Sequence, residues 1–403
     1  VLILAILFLM QPFLAARSLV SHRDSLSRQA LLSETANGLE SIKAANAGHR
    51  IESRMAGLVE DAADNLLSQR RLTHLGSSLT ALCIHLTTIA VIFFGAIQIT
   101  LGELSMGGLI ACMMIVSRGM APLGQVSQLL LRLQGVRASL KGLREVMDLE
   151  REDDAGKLMP RFECPAIRCV RAGFQYPGQP VAALSEIDLK IEPGERVGVI
   201  GRAGSGKSTL LRLFNRQLRA STGLVLFDGI DANQIAPVAI RRVCGYLPQD
   251  GTLFAGSVKE NIALGSAFFP DHEIVAAARL AGVLSWANAH PRGLDMEVGE
   301  RGVLLSGGQR QTVMIARLFL AGARVFLLDE PTNSLDLSAE KKFKTSLAQL
   351  LEKDGLARTL VLATHKLSLL KLVDRVIVIE AGKVLLDGPR DEVLVALQQK
   401  GEA

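Results

Sequence analysis

The sequence predicts two unlike halves: all-α transmembrane helices, then an α/β domain. Three observations carry that division. Residues 72 to 102 contain no Asp, Glu, Lys or Arg. Past residue 162, short β-type runs such as "VGVIG", "VFLLDE" and "TLVLATH" alternate with helical stretches. Between the halves, "DLEREDDAGKLMPRFECP" is charged and irregular, as a linker is.

The bulk composition agrees. Of 403 residues, 49% are hydrophobic and only 4% aromatic, a balance that suits a part-membrane chain. The net charge of +5 reads as the Lys and Arg that membrane proteins keep in cytoplasmic loops, not as a nucleic-acid footprint. Cys83, Cys112, Cys164, Cys169 and Cys244 form no CxxC pair, so reduced structural thiols are expected and a metal site is not.

In the first half, "LGSSLTALCIHLTTIAVIFFGAIQI" is long enough to cross a hydrocarbon layer of about 30 Å. A buried soluble helix is the competing reading, but few are apolar on all sides over this length. After the break "TLGELS", residues 106–131 are apolar except for Arg118, which completes a helical hairpin. Residues 17–73 carry eight Lys or Arg, and Arg132, Arg137, Lys141 and Arg144 follow the hairpin, whereas its loop holds only Glu103. The positive-inside rule therefore puts both ends in the cytoplasm and Glu103 outside. Arg118 has two readings: it lines a polar path, or it snorkels at the cytoplasmic boundary. Residues 17–73 are polar, helical in pattern and free of Pro, with a turn or short transverse helix expected between Gly38 and Gly48. A plain coiled-coil stalk fits the pattern too. The opening run "VLILAILFLMQPFLAA" has no basic n-region before it and stops short of the ~20 apolar residues of a freestanding anchor. It is expected to be the cytoplasmic end of a membrane helix cut open at Val1.

In the second half, "RVGVIGRAGSGKSTLLRLF" is a strand, a glycine-rich turn and a helix. Gly201, Gly204, Ser205, Gly206, Lys207 and Ser208, with Thr209 after them, lie in a G-x-x-x-x-G-K-[ST] phosphate loop. Its backbone N–H groups and helix N-terminus favour phosphate; Lys207 would bind the β and γ phosphates, and the Ser208 hydroxyl would ligate Mg²⁺. In "VFLLDEP" an apolar strand ends in two acids. Asp329 would hold Mg²⁺ through water, and Glu330 is placed to orient or deprotonate an attacking water.

"LLSGGQRQ" holds Ser306, Gly307, Gly308 and Gln309 in LSGGQ, and here the chain resembles the ATP-binding cassette (ABC) ATPases. The resemblance covers residues 162–403. It implies that Tyr176 in "FQYPG" stacks on adenine and that Gln249 in "LPQD" senses Mg²⁺ and the membrane part. Ser334, Leu335 and Asp336 resemble the D-loop, with Asp336 placed at the nucleotide. His365 in "ATHK" is implied to contact the γ-phosphate. Such domains pair head to tail, so a second copy of the chain is an expected partner and ATP and Mg²⁺ are the expected cofactors. "MEVGERG", residues 296–302, resembles the X-loop of exporters.

With the hairpin upstream, the resemblance narrows to ABC exporters with fused membrane and nucleotide domains. Six helices make up such a half-transporter. Residues 1–16 are then expected to end the fourth, residues 17–73 to form its cytoplasmic extension with a coupling helix near 39–50, and 74–101 to be the fifth. A periplasmic loop at 102–105, the sixth helix at 106–131 and a linker at 132–161 follow. The fold class implied is the C-terminal part of a type I exporter membrane domain joined to an α/β P-loop ABC ATPase.

"SRGMAPLGQVSQLLLRLQGVRASLKGL" and "VLATHKLSLLKLVDRVIVIEAGKVLLDGPRDEVL" look like the type I secretion permease/ATPases. That likeness implies an inner-membrane subunit driving unfolded polypeptides, such as RTX-type toxins, adhesins or hydrolases. A periplasmic membrane-fusion adaptor, an outer-membrane channel and the surrounding lipid are then its other partners. A lipid or drug half-exporter is the alternative within the architecture. A soluble ABC ATPase is the alternative outside it, and the hairpin argues against that.

Overall fold

The computed structural model describes residues 20–399, apart from 22, 150, 153, 155, 266 and 267. The opening run 1–16 therefore lies outside the described residues. The chain divides into two compact units, Val1–Arg151 and Glu152–Ala403.

The described part of the first unit is helical. Helix α1 covers residues 23–37, α2 is Leu39–Ala44, α3 is Gly48–Thr100 and α4 is Met106–Met147. Asn46, at φ 50°, separates α2 from α3, so a six-residue helix and a fresh start at Gly48 occupy the stretch read as one coupling helix. Asn tolerates that left-handed turn better than most residues. The polar extension and the apolar segment after it are one rod, because no Pro interrupts residues 48–100 and a change in hydropathy breaks no hydrogen bond. At about 1.5 Å per residue its 53 residues reach roughly 80 Å. Likewise α4 runs past residue 131 to Met147, deep into the stretch read as a linker, and carries Pro122 inside it.

Among the described residues, α3 is the one helix long and apolar enough to cross a membrane; Met106–Gly119 is a shorter apolar stretch. Its surface presents Leu82, Leu86, Ile89, Phe93, Phe94 and Ile97. A belt of that size suits lipid rather than water. Gly95 is buried where α3 meets α4, and a Cβ there would overlap Leu109, so a small residue sets the close approach. Ser105 caps α4 by accepting from Gly108 N–H at 3.1 Å.

The second unit runs β1 (Ile167–Phe174), β2 (Leu184–Ile191), β3 (Arg196–Ile200), α5 (Lys207–Phe214), β4 (Thr222–Phe227), β5 (Ile230–Asp231), α6 (Pro237–Val243) and β6 (Cys244–Leu247). It continues with α7 (Val258–Ile262), α8 (Asp271–Ala281), α9 (Leu284–Ala287), α10 (Gly307–Leu320), β7 (Val325–Asp329), α11 (Leu337–Glu352), β8 (Thr359–Ala363), β9 (Arg375–Glu380), β10 (Lys383–Pro389) and α12 (Arg390–Gln399). Six strands lie in the order β10-β9-β3-β8-β7-β6, parallel except for β10. A four-stranded antiparallel sheet, β2-β1-β4-β5, stands beside it.

Period-two alternation sorts the strand residues between two cores. Val325, Leu327, Val361, Ala363, Ile377 and Ile379 join α5 and the antiparallel sheet in one core. Phe326, Leu328, Leu360, Leu362, Val376 and Val378 join α8, α10 and α11 in the other. Strand β7 is buried along its whole length, as a central parallel strand covered on both faces must be. The cysteines of the described residues are free thiols.

Candidate functional site

Strands β3, β8, β7 and β6 are neighbours and parallel, so their C-terminal ends open on one edge. That edge is where open α/β sheets bind ligands. There β3 runs into the phosphate loop, β8 into Thr364 and His365, β7 into Asp329 and Glu330, and β6 into Pro248 and Gln249. Motifs spread over more than a hundred residues of chain meet because strand order, not sequence order, sets their neighbours.

The loop at 201–206 is shaped by its glycines. Gly204 and Gly206 have φ of 78° and 109°. At Gly201, φ is 153° and a Cβ would overlap the Ile379 carbonyl oxygen, so the loop lies directly on β9. Gly201→Ala should therefore displace the loop. The expected result is at least tenfold weaker ATP binding and a stability loss of about 1–3 kcal/mol, checked by nucleotide titration and thermal unfolding. Helix α5 begins with no side-chain cap, which leaves its first N–H groups directed at the loop. Lys207 Nζ donates to the Gly201 and Arg202 carbonyls at 2.8 and 2.9 Å, and Ser205 is buried with its hydroxyl unpartnered.

Asp329 is 1% exposed, and neither carboxylate oxygen completes a hydrogen bond. Burial pushes its pKa up; the nearby Ser208 hydroxyl pulls it down and the Glu330 charge raises it again. A buried, unsatisfied carboxylate beside a hydroxyl is an oxygen donor set that fits a hard cation such as Mg²⁺.

Glu330 is also buried and sits at φ 48°, in the left-handed region that a non-glycine residue rarely adopts. Its Oε1 lies 2.7 Å from His365 Nδ1, and Thr364 Oγ1 donates to Oε2 at 3.4 Å. Its N–H donates to the Ala363 carbonyl, which locks the turn to β8. Strained backbone held by its surroundings marks functional positions.

Tyr176 is half-buried. Its ring meets Phe174 edge-on at 4.8 Å, and its hydroxyl lies 3.3 Å from Thr209 Oγ1 and accepts from Arg212 Nη1 at 3.4 Å. The ring is thus tethered to α5, just past the phosphate loop. Gln249 is exposed at the exit of β6.

Ser306 caps α10 in a reciprocal box with Gln309: Gln309 N–H donates to Ser306 Oγ at 3.2 Å, and Ser306 N–H to Gln309 Oε1 at 2.9 Å. Ser306, Gly308 and Gln309 line a hollow of about 510 Å³ with Ser334, Asp336 and Lys342. Asp336, assigned to the nucleotide through the D-loop resemblance, lines that hollow and caps α11, its carboxylate accepting from Ala339 N–H at 2.7 Å. Arg301 turns the "GERG" stretch at φ 54°.

Three supporting residues escape a motif search. Thr364 is buried and holds Glu330; Gln311 Nε2 donates to the Pro331 carbonyl, joining α10 to the turn after Glu330. Glu340 is buried on α11 in line with Phe343 and Leu347. A carboxylate on an apolar stripe was the available signal.

A phosphate loop, two acids at the end of a central strand, a histidine bonded to the second of them and an LSGGQ-capped helix define an ATP-binding cassette domain, here preceded by exporter-type helices. Residues 184–333 match the family model described as ABC transporter. The chain is 34% identical over 389 residues to the cyclolysin secretion/processing ATP-binding protein CyaB of Bordetella pertussis, covering 96% of this chain and 54% of that protein. It is 32% identical to the leukotoxin translocation ATP-binding protein LktB of Mannheimia haemolytica, covering 95% and 54%. It is also 32% identical to the ATP-dependent lipid A-core flippase of Pseudomonas fluorescens, covering 90% and 60%. A bacterial Atm1-family ABC exporter with ATP bound shares its fold, with a TM-score of 0.91 at 24% identity, covering 100% of this chain and 71% of that one. Residues 184–333 are an ABC transporter domain, and the chain has the fold of an ABC exporter. It spans about half the length of the secretion proteins it matches.

Proposed function

We propose that this chain is the ATP-hydrolysing part of an inner-membrane exporter that moves unfolded polypeptide in a type I secretion system. The observation that carries the ATPase reading is the buried Glu330 carboxylate, 2.7 Å from His365 and next to the unsatisfied Asp329. Tyr176 receives the adenine, and Thr209 holds that tyrosine to α5. Gly201, Gly204, Ser205, Gly206 and Lys207 surround the phosphates, Lys207 exchanging its loop carbonyls for phosphate oxygens. Ser208 and Asp329, with Gln249 nearby, are the residues that would hold Mg²⁺, whose chemistry is to neutralise charge developing on the phosphates. Glu330 takes the proton of the attacking water while His365 fixes its carboxylate and meets the γ-phosphate. Ser306, Gly307, Gly308 and Gln309 of a second copy close the site, since a helix N-terminus favours phosphate.

Two relatives, named for cyclolysin secretion and leukotoxin translocation, support polypeptide as the cargo. An adaptor and an outer-membrane channel are the partners that this reading requires. The flippase relative favours a second reading, lipid export. The test is ATP turnover of the chain in lipid nanodiscs with either an unfolded secreted polypeptide or lipid A-core added. Stimulation by polypeptide alone is expected. Stimulation by lipid alone would favour the second reading, and recovery of the chain in the soluble fraction without detergent would sink both.

A further inference from the structure

His365 reaches Glu330 from a short irregular loop, and its own side chain is 63% exposed. An exposed side chain has no packing to hold it, so its position depends on how the loop is anchored. One anchor is Thr364, buried beneath it, whose Oγ1 accepts from Lys366 N–H at 3.0 Å. The other is Glu340. Its Oε2 accepts from Lys366 Nζ at 2.9 Å and from Thr332 Oγ1 at 3.3 Å, and its Oε1 accepts from Ser368 Oγ at 2.6 Å. Lys366 Nζ also donates to the Thr332 carbonyl at 2.9 Å, and Lys344 lies 3.6 Å from Oε1. Both oxygens of a carboxylate only 8% exposed are therefore engaged, on the residue after His365, the third residue after it, and the turn that follows Glu330.

We infer that Glu340 is a positioning residue: it ties α11, four residues past Asp336, to the loop carrying His365, and so sets where His365 meets Glu330. The inference rests on the reading of Glu330 and His365 proposed above. A helix whose cap lies in the D-loop is thereby joined to the loop that carries the switch histidine. The tie persists in any ordinary buffer. Ser368, and after it Lys366, lower the Glu340 pKa to about 2, so its contribution is full above the unfolded carboxylate range and is lost only as pH falls toward that value.

The test is Glu340→Gln in the full chain, with ATP binding and turnover measured separately. Turnover should fall about tenfold or more, the scale of a misplaced catalytic group, while ATP affinity stays the same. Adding Glu340→Gln to His365→Ala should lower turnover by no more than about twofold, because the two act as one unit. The double variant Glu340→Gln/Lys366→Gln removes the stranded ammonium and should recover the Tm without recovering turnover. Ser368→Ala, which deletes a single contact, should lower turnover in the same sense by less, and carries the test should Glu340→Gln not fold. Unchanged turnover, full additivity with His365→Ala, or joint recovery of Tm and turnover would each overturn the inference. Normal turnover by His365→Ala alone would instead defeat the underlying reading, and this one with it.

Discussion

Glu330→Gln should lower ATP turnover about 10²–10⁴-fold, the range of a lost general base, while ATP affinity stays the same. The substitution keeps the volume and one acceptor oxygen at a buried position, so the Thr364 contact and the strained turn can survive. What disappears is the negative charge that, in the proposed mechanism, accepts the water's proton. His365, 2.7 Å away, would face a neutral amide and lose its charged partner. The measurements are phosphate release under saturating ATP and equilibrium nucleotide binding on the same preparation. A variant that binds ATP and turns over normally would remove Glu330 as the base. A variant that fails to bind would place the defect in the fold of the β7 end instead.

Lys207→Ala should weaken ATP binding about ten- to a hundredfold, since hydrogen bonds to charged groups contribute about 1.5–3 kcal/mol each. Turnover at saturating ATP should fall as well, because the γ-phosphate loses its cation. The Lys207 ammonium rests on the Gly201 and Arg202 carbonyls, so its loss also frees two loop acceptors. Those acceptors lie in a half-exposed loop that water can reach, and the Tm should move by only a few degrees. Isothermal titration with ATP and a thermal melt separate the two effects. Unchanged affinity and turnover would count against the phosphate-loop assignment.

Much of the site is legible as a string because its parts are local. A phosphate loop needs glycines at set positions to hold positive φ and approach neighbouring backbone, as Gly201 does on β9. A helix that opens on phosphate needs no apolar residue there. Asp329 and Glu330 stand out because two acids end a strand otherwise fit only for a core. The helical half is legible through hydropathy, but its joints are not. Hydropathy changes near residue 73 and the helix does not, since backbone hydrogen bonding ignores side-chain polarity where no Pro intervenes. Asp336 is legible by its motif, but the bond from Ala339 N–H that makes its carboxylate the cap of α11 belongs to the three-dimensional turn.

By itself the sequence determined the class: an apolar hairpin region, then a cassette ATPase, with the loop, the acids, the histidine and the LSGGQ helix start each at a named residue. Tertiary structure alone decided which of these touch. The order β3-β8-β7-β6 brings His365 onto Glu330 across 35 residues of chain, and Glu340 onto Lys366 across 26. The physical reason is that parallel strands joined by crossover helices pair out of sequence order, so contacts between their ends are set by sheet topology and carry no local pattern.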